Sequence, residues 1–196
     1  MTEKEALELF EQIGVLKKGH FKLSSGKHSD TYLQCAILQQ YPYLHAKVIQ
    51  MLADKVKMHN PSVVVGAAVG GIVSSYELGR LLGLRSIFAE RVEGALTFRR
   101  GYALFPDDKP VLLEDVITTA KTTRELIDLV KSHQTTPVSV ATIVDRQHEK
   151  TASIDEYPFF SAVRVEAVLF DPENCPLCLK NVPIDEPGSR RMNSKS

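Results

Sequence analysis

Two adjacent carboxylates, Glu114 and Asp115, follow the apolar run Pro110-Val-Leu-Leu113 and precede Thr118, Thr119 and Thr122. An acidic pair can accept hydrogen bonds from sugar hydroxyls or face a divalent cation. It would repel a phosphate placed directly on it. The threonines stand where a helix should begin. There the first-turn N–H groups lack intrahelical partners and the helix dipole favours an anion. The series reads as a phosphate cradle with two acids about one sugar length away. Helix capping by Asp or Thr would account for one such residue, not for the whole series.

Two further strand ends carry residues of interest. Gly66-Ala-Ala-Val-Gly-Gly71 permits backbone conformations closed to other residues and lets peptide N–H groups approach an anion. Close packing against a helix explains such a turn equally well. Asp145-Arg146 ends another apolar run. The arginine's rigid fork of donors suits a planar acceptor, and a salt bridge is the plainer alternative. Between these elements, Arg91 to Tyr102 holds three arginines and two glycines between strand-like arms. It reads as a flexible hairpin able to close over reactants, or as a solvated basic hairpin.

The elements that must position these residues follow from periodicity. Thr2-Glu-Lys-Glu5 is a capping-box pattern, and Ala6, Leu9, Phe10, Ile13 and Leu16 recur at helical spacing. A strand is expected over Thr31 to Ala36, and a helix from Pro42 through Val56. Apolar strands at 62–65, 86–89, 110–113 and 138–144 alternate with helical stretches to about Leu82 and over Thr122 to Ser132. Strands of this kind imply a mostly parallel central sheet covered by helices on both faces, an α/β fold. Val163 to Phe170 is expected to add an edge strand. The tail after Asp171 is expected to pack loosely.

With 196 residues, 43% hydrophobic, the chain suits one ordinary domain with a small appendage. Lys+Arg and Asp+Glu balance at 24 each, so no broad nucleic-acid surface is expected. The most apolar stretch, Val63 to Val73, is 11 residues with three glycines, too short for a bilayer. No signal peptide is visible after Met1, and an odd count of three cysteines suits a reducing cytoplasm. Cys175-Pro-Leu-Cys178 has the spacing of half a zinc knuckle, but no second Cys/His pair follows it. The pair therefore reads as a turn, and no metal is assigned to protein side chains.

Val111-Leu-Leu-Glu-Asp-Val-Ile-Thr-Thr-Ala-Lys-Thr122 resembles the phosphoribosyl-diphosphate (PRPP) motif of type I phosphoribosyltransferases. The segments 19–30, 88–91 with 98–101, 145–146 and 171–190 resemble orotate phosphoribosyltransferases in order and spacing. The resemblance implies the type I fold: an N-terminal hood over residues 1–40, a core over 41–170 and a tail over 171–196. It implies transfer of ribose 5-phosphate from PRPP to orotate, giving orotidine 5′-monophosphate and pyrophosphate, with Mg²⁺ carried by PRPP. A purine or other base on the same fold is the alternative, as is a non-catalytic PRPP-sensing regulator.

By the same resemblance, PRPP is held by Glu114, Asp115, Val116, Ile117, Thr118, Thr119, Ala120, Lys121 and Thr122. Ala68, Val69, Gly70 and Gly71 take the pyrophosphate. Orotate meets Thr118, Arg146, Lys27, His28 and Tyr32, although His28 also fits a turn on the surface. Arg91, Arg99 and Arg100 join the acidic pair as catalytic candidates, and the general acid stays unassigned. In the family the hairpin reaches a partner's site, which implies a homodimer. Ala120-Lys121 departs from the usual Gly-Gly or Ala-Gly: a left-handed backbone at Lys121 would be costly, whereas an ordinary one would let the lysine add a phosphate contact.

Overall fold

The computed structural model describes residues 1–23, 25–147, 149, 151–166 and 168–187. Parts of the 19–30 and 171–190 signatures, Ser24 and residues 188–190, lie outside the described residues. Helix α1 (Glu3–Ile13) begins as the sequence predicts. Thr2 and Glu5 form both halves of a capping box. It ends at Gly14, whose φ of 80° breaks the helix before Leu16. Leu16 instead opens strand β1 (Leu16–Lys22), antiparallel to β2 (His28–Leu33). The expected strand at 31–36 is thus shifted toward the N-terminus, and Ala36–Gln39 form the short helix α2.

After α3 (Pro42–Val56) come β3 (Val63–Ala67), α4 (Gly71–Leu82), β4 (Arg85–Val92) and β5 (Ala95–Phe98). Strand β6 (Pro110–Ile117), α5 (Lys121–Ser132), β7 (Ser139–Asp145), β8 (Ser153–Ile154) and β9 (Tyr157–Arg164) complete the core. The seven-stranded sheet has the order β5-β4-β3-β6-β7-β9-β8. Its five inner strands are parallel, and β5 and β8 are antiparallel additions at the edges. Side chains alternate between the sheet's faces. Val64, Val111 and Leu113 pack with Phe10, Ile49 and Leu78 on one side. Val63, Val65 and Leu112 pack with Leu126, Ile127 and Phe159 on the other. Burial on both faces explains why these strands read as unbroken apolar runs.

The expected edge strand at 163–170 divides in two. Its start belongs to β9, inside the large sheet, whereas β10 (Leu169–Phe170) pairs with β2 in the small sheet β1-β2-β10. The tail is also more firmly docked than its composition suggests. It forms a further helix, α6 (Pro176–Leu179), with Cys175 fully buried. Asp185 exchanges backbone hydrogen bonds with β1, accepting from Lys22 at 2.9 Å and donating to His20 at 2.8 Å. Among the described residues, no helix is long and apolar enough to cross a membrane.

Candidate active site

Strand order reverses between β3 and β6. From β3 the chain moves outward to β4, then returns to place β6 on β3's other side. Such a switch point opens a crevice beyond the strands' carboxyl ends. The sequence places the acidic pair after its strand, whereas β6 continues to Ile117. The two descriptions are compatible. β3 pairs with β6 only as far as Gly66 opposite Leu113, while β7 stays paired with β6 through Ile117. Glu114 and Asp115 therefore lie past the last residues that β3 pairs with β6, in the crevice wall.

Strand alternation sends the two carboxylates to different neighbours. Glu114 accepts a hydrogen bond from the Thr123 hydroxyl of α5. Burial pushes its pKa up to about 7, against the lowering effect of Thr123, with Asp115 and Glu125 adding smaller upward pushes. Asp115 lies against Gly70: a Cβ on that glycine would stand 2.3 Å from Asp115 Oδ2. Its Oδ1 accepts from the Val116 N–H at 3.0 Å, and burial raises its pKa too. No cation pairs with either acid among the described residues. Two half-buried carboxylates left this way are costly unless a ligand uses them.

The helix entrance settles what capping explains. The N-cap of α5 is Ala120, and no side chain caps the helix. Thr118 and Thr119 are exposed, and Thr122 is half-buried. The first-turn N–H groups thus open onto the crevice without a local acceptor. Helix α4, starting from the glycine turn, likewise has no side-chain cap. Both helix starts that flank the acids are open to an anion, in contrast to fully capped α1.

In the glycine turn, Gly66 packs tightly: an added Cβ would meet Ser75 Oγ at 2.5 Å. Gly70, by contrast, brings the turn onto Asp115. Gln39 of α2 holds the turn from behind, donating to Gly70 O at 2.8 Å. Val69 is largely exposed at its tip.

The left-handed residue is Ala120, at φ 56° and ψ 22°, and not Lys121, which starts α5 on an exposed face. Lys121 thus keeps an ordinary helical backbone, the case in which the sequence allows its side chain a phosphate contact. A left-handed alanine costs about 1–2 kcal/mol. Glycine would relieve that, but would lose a buried methyl worth about 0.8 kcal/mol and order a more flexible chain at about 0.5–1 kcal/mol. Ala120→Gly is therefore expected to leave stability within about 1 kcal/mol of the parent. Lys121→Gly relieves nothing and should cost up to about 1 kcal/mol. Urea unfolding of both variants checks the order; a more stable Lys121→Gly would contradict it.

Arg146 stands at the end of β7, its N–H donating to Ile117 O at 2.8 Å. Its Nε is buried without a hydrogen-bond partner, and burial depresses its pKa. The neighbouring Asp145 is satisfied by Arg164 at 2.7 Å and the Gln147 N–H at 2.9 Å. A salt bridge thus describes Asp145, not Arg146.

The segment 91–102 forms the predicted hairpin. β4 and β5 are joined by Glu93 and Gly94, both with positive φ, a two-residue turn matched to strand twist. Arg91 pairs with Glu125 of α5. Arg100 makes a two-pronged pair with Glu90, both bonds at 2.9 Å. Arg99 is exposed, and its side chain has no polar partner among the described residues.

The β2 candidates divide. The Tyr32 hydroxyl donates to Gln34 at 2.7 Å, one residue from Cys35, whose thiol lies 3.9 Å from Asp115 O. Lys27 pairs with Asp171 of the tail, and His28 turns toward His20 of β1 and Cys178 of the tail. Thr123, Gln39 and Cys35 were not singled out by the sequence. Only Thr123 had a signal, its place directly after the threonine series.

No protein-family model matches the chain. An orotate phosphoribosyltransferase of Thermoanaerobacter sp. (strain X514) is 44% identical over 192 residues, covering 98% of this chain and 100% of that protein. Among solved structures, an orotate phosphoribosyltransferase from Aeropyrum pernix is similar at TM-score 0.66 and 20% identity. That match covers 81% of this chain and 92% of the other. An adenine phosphoribosyl transferase from Trypanosoma brucei is similar at TM-score 0.63 and 18% identity, covering 96% and 89%. At these identities the structural matches speak for the fold, which serves more than one base.

Proposed function

The chain belongs to the orotate phosphoribosyltransferase family, with the type I fold, and we propose that its switch-point crevice carries out that family's reaction. Orotate attacks the anomeric carbon of PRPP, the bond to pyrophosphate breaks, and orotidine 5′-monophosphate forms. One observation carries the reading: the uncapped start of α5 stands beside two half-buried carboxylates that lack cationic partners among the described residues.

The roles follow from position. The N–H groups and hydroxyls of Thr118 to Thr122 take the 5-phosphate. Glu114 and Asp115 accept from the ribose hydroxyls and offset positive charge as the sugar becomes oxocarbenium-like. Hydroxyl donors favour the ionised form of Glu114, so PRPP binding draws a proton from it near neutral pH. The turn at Ala68 to Gly71, at the open start of α4, takes pyrophosphate. Arg99 has no side-chain partner among the described residues, and Arg91 and Arg100 would join it by leaving their glutamates. Arg146 offers its Nε donor, unpartnered among the described residues, to orotate's polar edge, and Thr118 and Tyr32 are assigned to the same substrate.

Magnesium fits this donor set, since it binds through one or two carboxylates together with substrate phosphate oxygens. Bound with the pyrophosphate, it would neutralise charge on the leaving group. We further propose a homodimer, for which exposed Tyr43, Val73 and Tyr76 on the packed pair α3 and α4 supply apolar surface. Three unpaired cysteines suit a cytoplasmic setting.

A competition assay tests the choice of base. Pyrophosphate release from PRPP and Mg²⁺ is followed with orotate, adenine and hypoxanthine. Turnover is expected with orotate alone, and kcat/KM for PRPP should rise with pH through about 7 as Glu114 of the free enzyme ionises. Preference for a purine would move the chain to another base, and PRPP binding without turnover on any base would make it a regulator.

A further inference from the structure

Away from the crevice, four ligand-type side chains converge from two distant parts of the chain. His20 comes from β1, His28 from β2, and Cys175 and Cys178 from the start of α6. Their ligand atoms all lie within 4.8 Å of one another. His20 Nε2 is 3.0 Å from His28 Nδ1, 3.5 Å from Cys175 Sγ and 3.7 Å from Cys178 Sγ. Cys178 Sγ is 3.3 Å from His28 Nδ1. Zinc bonds of about 2.0–2.3 Å at tetrahedral angles separate the ligand atoms by roughly 3.3–3.8 Å. Four of the cluster's six separations, from 3.0 to 3.7 Å, are close to those edges, and small side-chain shifts would bring in the remainder.

Hydrogen bonding alone does not account for the arrangement. His20 Nδ1 lies 2.8 Å from Val182 O, and a carbonyl only accepts, so Nδ1 carries the proton and Nε2 presents its lone pair. One lone pair faces three neighbours, and it can be shared well with only one donor. A single cation at the centre would satisfy all four groups together. The carbonyl behind the imidazole is also the usual device that fixes a metal-binding histidine's tautomer. His20, His28 and Cys175 are buried, and Cys178 closes the outer side.

We propose that His20, His28, Cys175 and Cys178 bind one structural zinc ion that staples the C-terminal tail to the β1–β2 hood. The sequence showed half of this site, and the missing pair precedes the cysteines by about 150 residues instead of following them. Among the described residues, tail and hood are otherwise joined by the His20–Val182 hydrogen bond, two backbone bonds at Asp185, the short β10 pairing and exposed ion pairs at Lys22 and Lys27. Exposed pairs of that kind contribute little. All four positions of the ion are filled by protein, the pattern of a structural site and not of a catalytic one.

Full-length protein, purified without chelator, would be assayed for metal. It would then be stripped, reduced and titrated with Zn²⁺ or Co²⁺. One zinc per chain is expected, and the cobalt form should show the intense visible absorption of tetrahedral thiolate coordination. Cys178→Ser removes the most accessible ligand and should weaken zinc binding by roughly a hundredfold or more, beyond the effect typical of an outer-shell change. Absence of metal together with no uptake of either ion by the reduced chain would overturn the proposal. Equal zinc affinity in Cys178→Ser, or octahedral cobalt spectra, would overturn it as well.

Discussion

Asp115→Asn is expected to leave the fold intact and slow turnover of PRPP and orotate by roughly a hundredfold to a thousandfold, the usual cost of removing one placed electrostatic contact. The substitution keeps the shape that fits over Gly70 and removes only the charge. Asp115 has no cationic partner to strand among the described residues, and burial already works against its ionisation. Thermal unfolding should therefore match the parent or rise slightly. Steady-state kinetics beside an unfolding curve separates these effects. A near-parental rate would take Asp115 out of the chemistry.

Gly70→Ala should be almost as damaging, for a steric reason. The new methyl would stand 2.3 to 2.6 Å from the Asp115 carboxyl atoms, well inside van der Waals contact. Either the glycine turn lifts away or Asp115 rotates, and both displace groups assigned to the reacting centre. A shift of about 1 Å at such a site can cost a hundredfold in rate. Pyrophosphate affinity should fall alongside turnover, because Gly70 also begins the open end of α4. Gly66→Ala disturbs packing against Ser75 and should act through stability instead. Comparable kinetics for Gly70→Ala and the parent would show that the two loops do not act together.

The sequence made the core legible wherever a single local pattern determined it. Val63 to Val65 and Val111 to Leu113 are apolar throughout because helices cover both faces of their strands. The acidic pair and threonines could be read as one site because they are close in sequence. Leu16 was misplaced because it continues the spacing of α1 by chance, and only the left-handed Gly14 ends that helix. Which member of Ala120-Lys121 turns left-handed stayed open, because composition does not reveal it.

Contacts between distant segments stayed hidden. Nothing near Cys175 points to His20 and His28, since β1 and β2 meet the tail only after folding. The closeness of Gly70 to Asp115 depends on the pairing of β3 with β6, which neither loop encodes alone. His28 matched a motif while its ring faces the tail. A matched position fixes a residue's place on a strand; its neighbours decide what the side chain can reach.

The most direct test is a crystal structure of the protein with PRPP and magnesium. The 5-phosphate should lie on the N–H groups of Thr118 to Thr122 at the start of α5. The ribose hydroxyls should meet Glu114 and Asp115, and the pyrophosphate should reach the turn at Ala68 to Gly71. A phosphate bound elsewhere, with the α5 entrance filled only by solvent, would contradict the assignment.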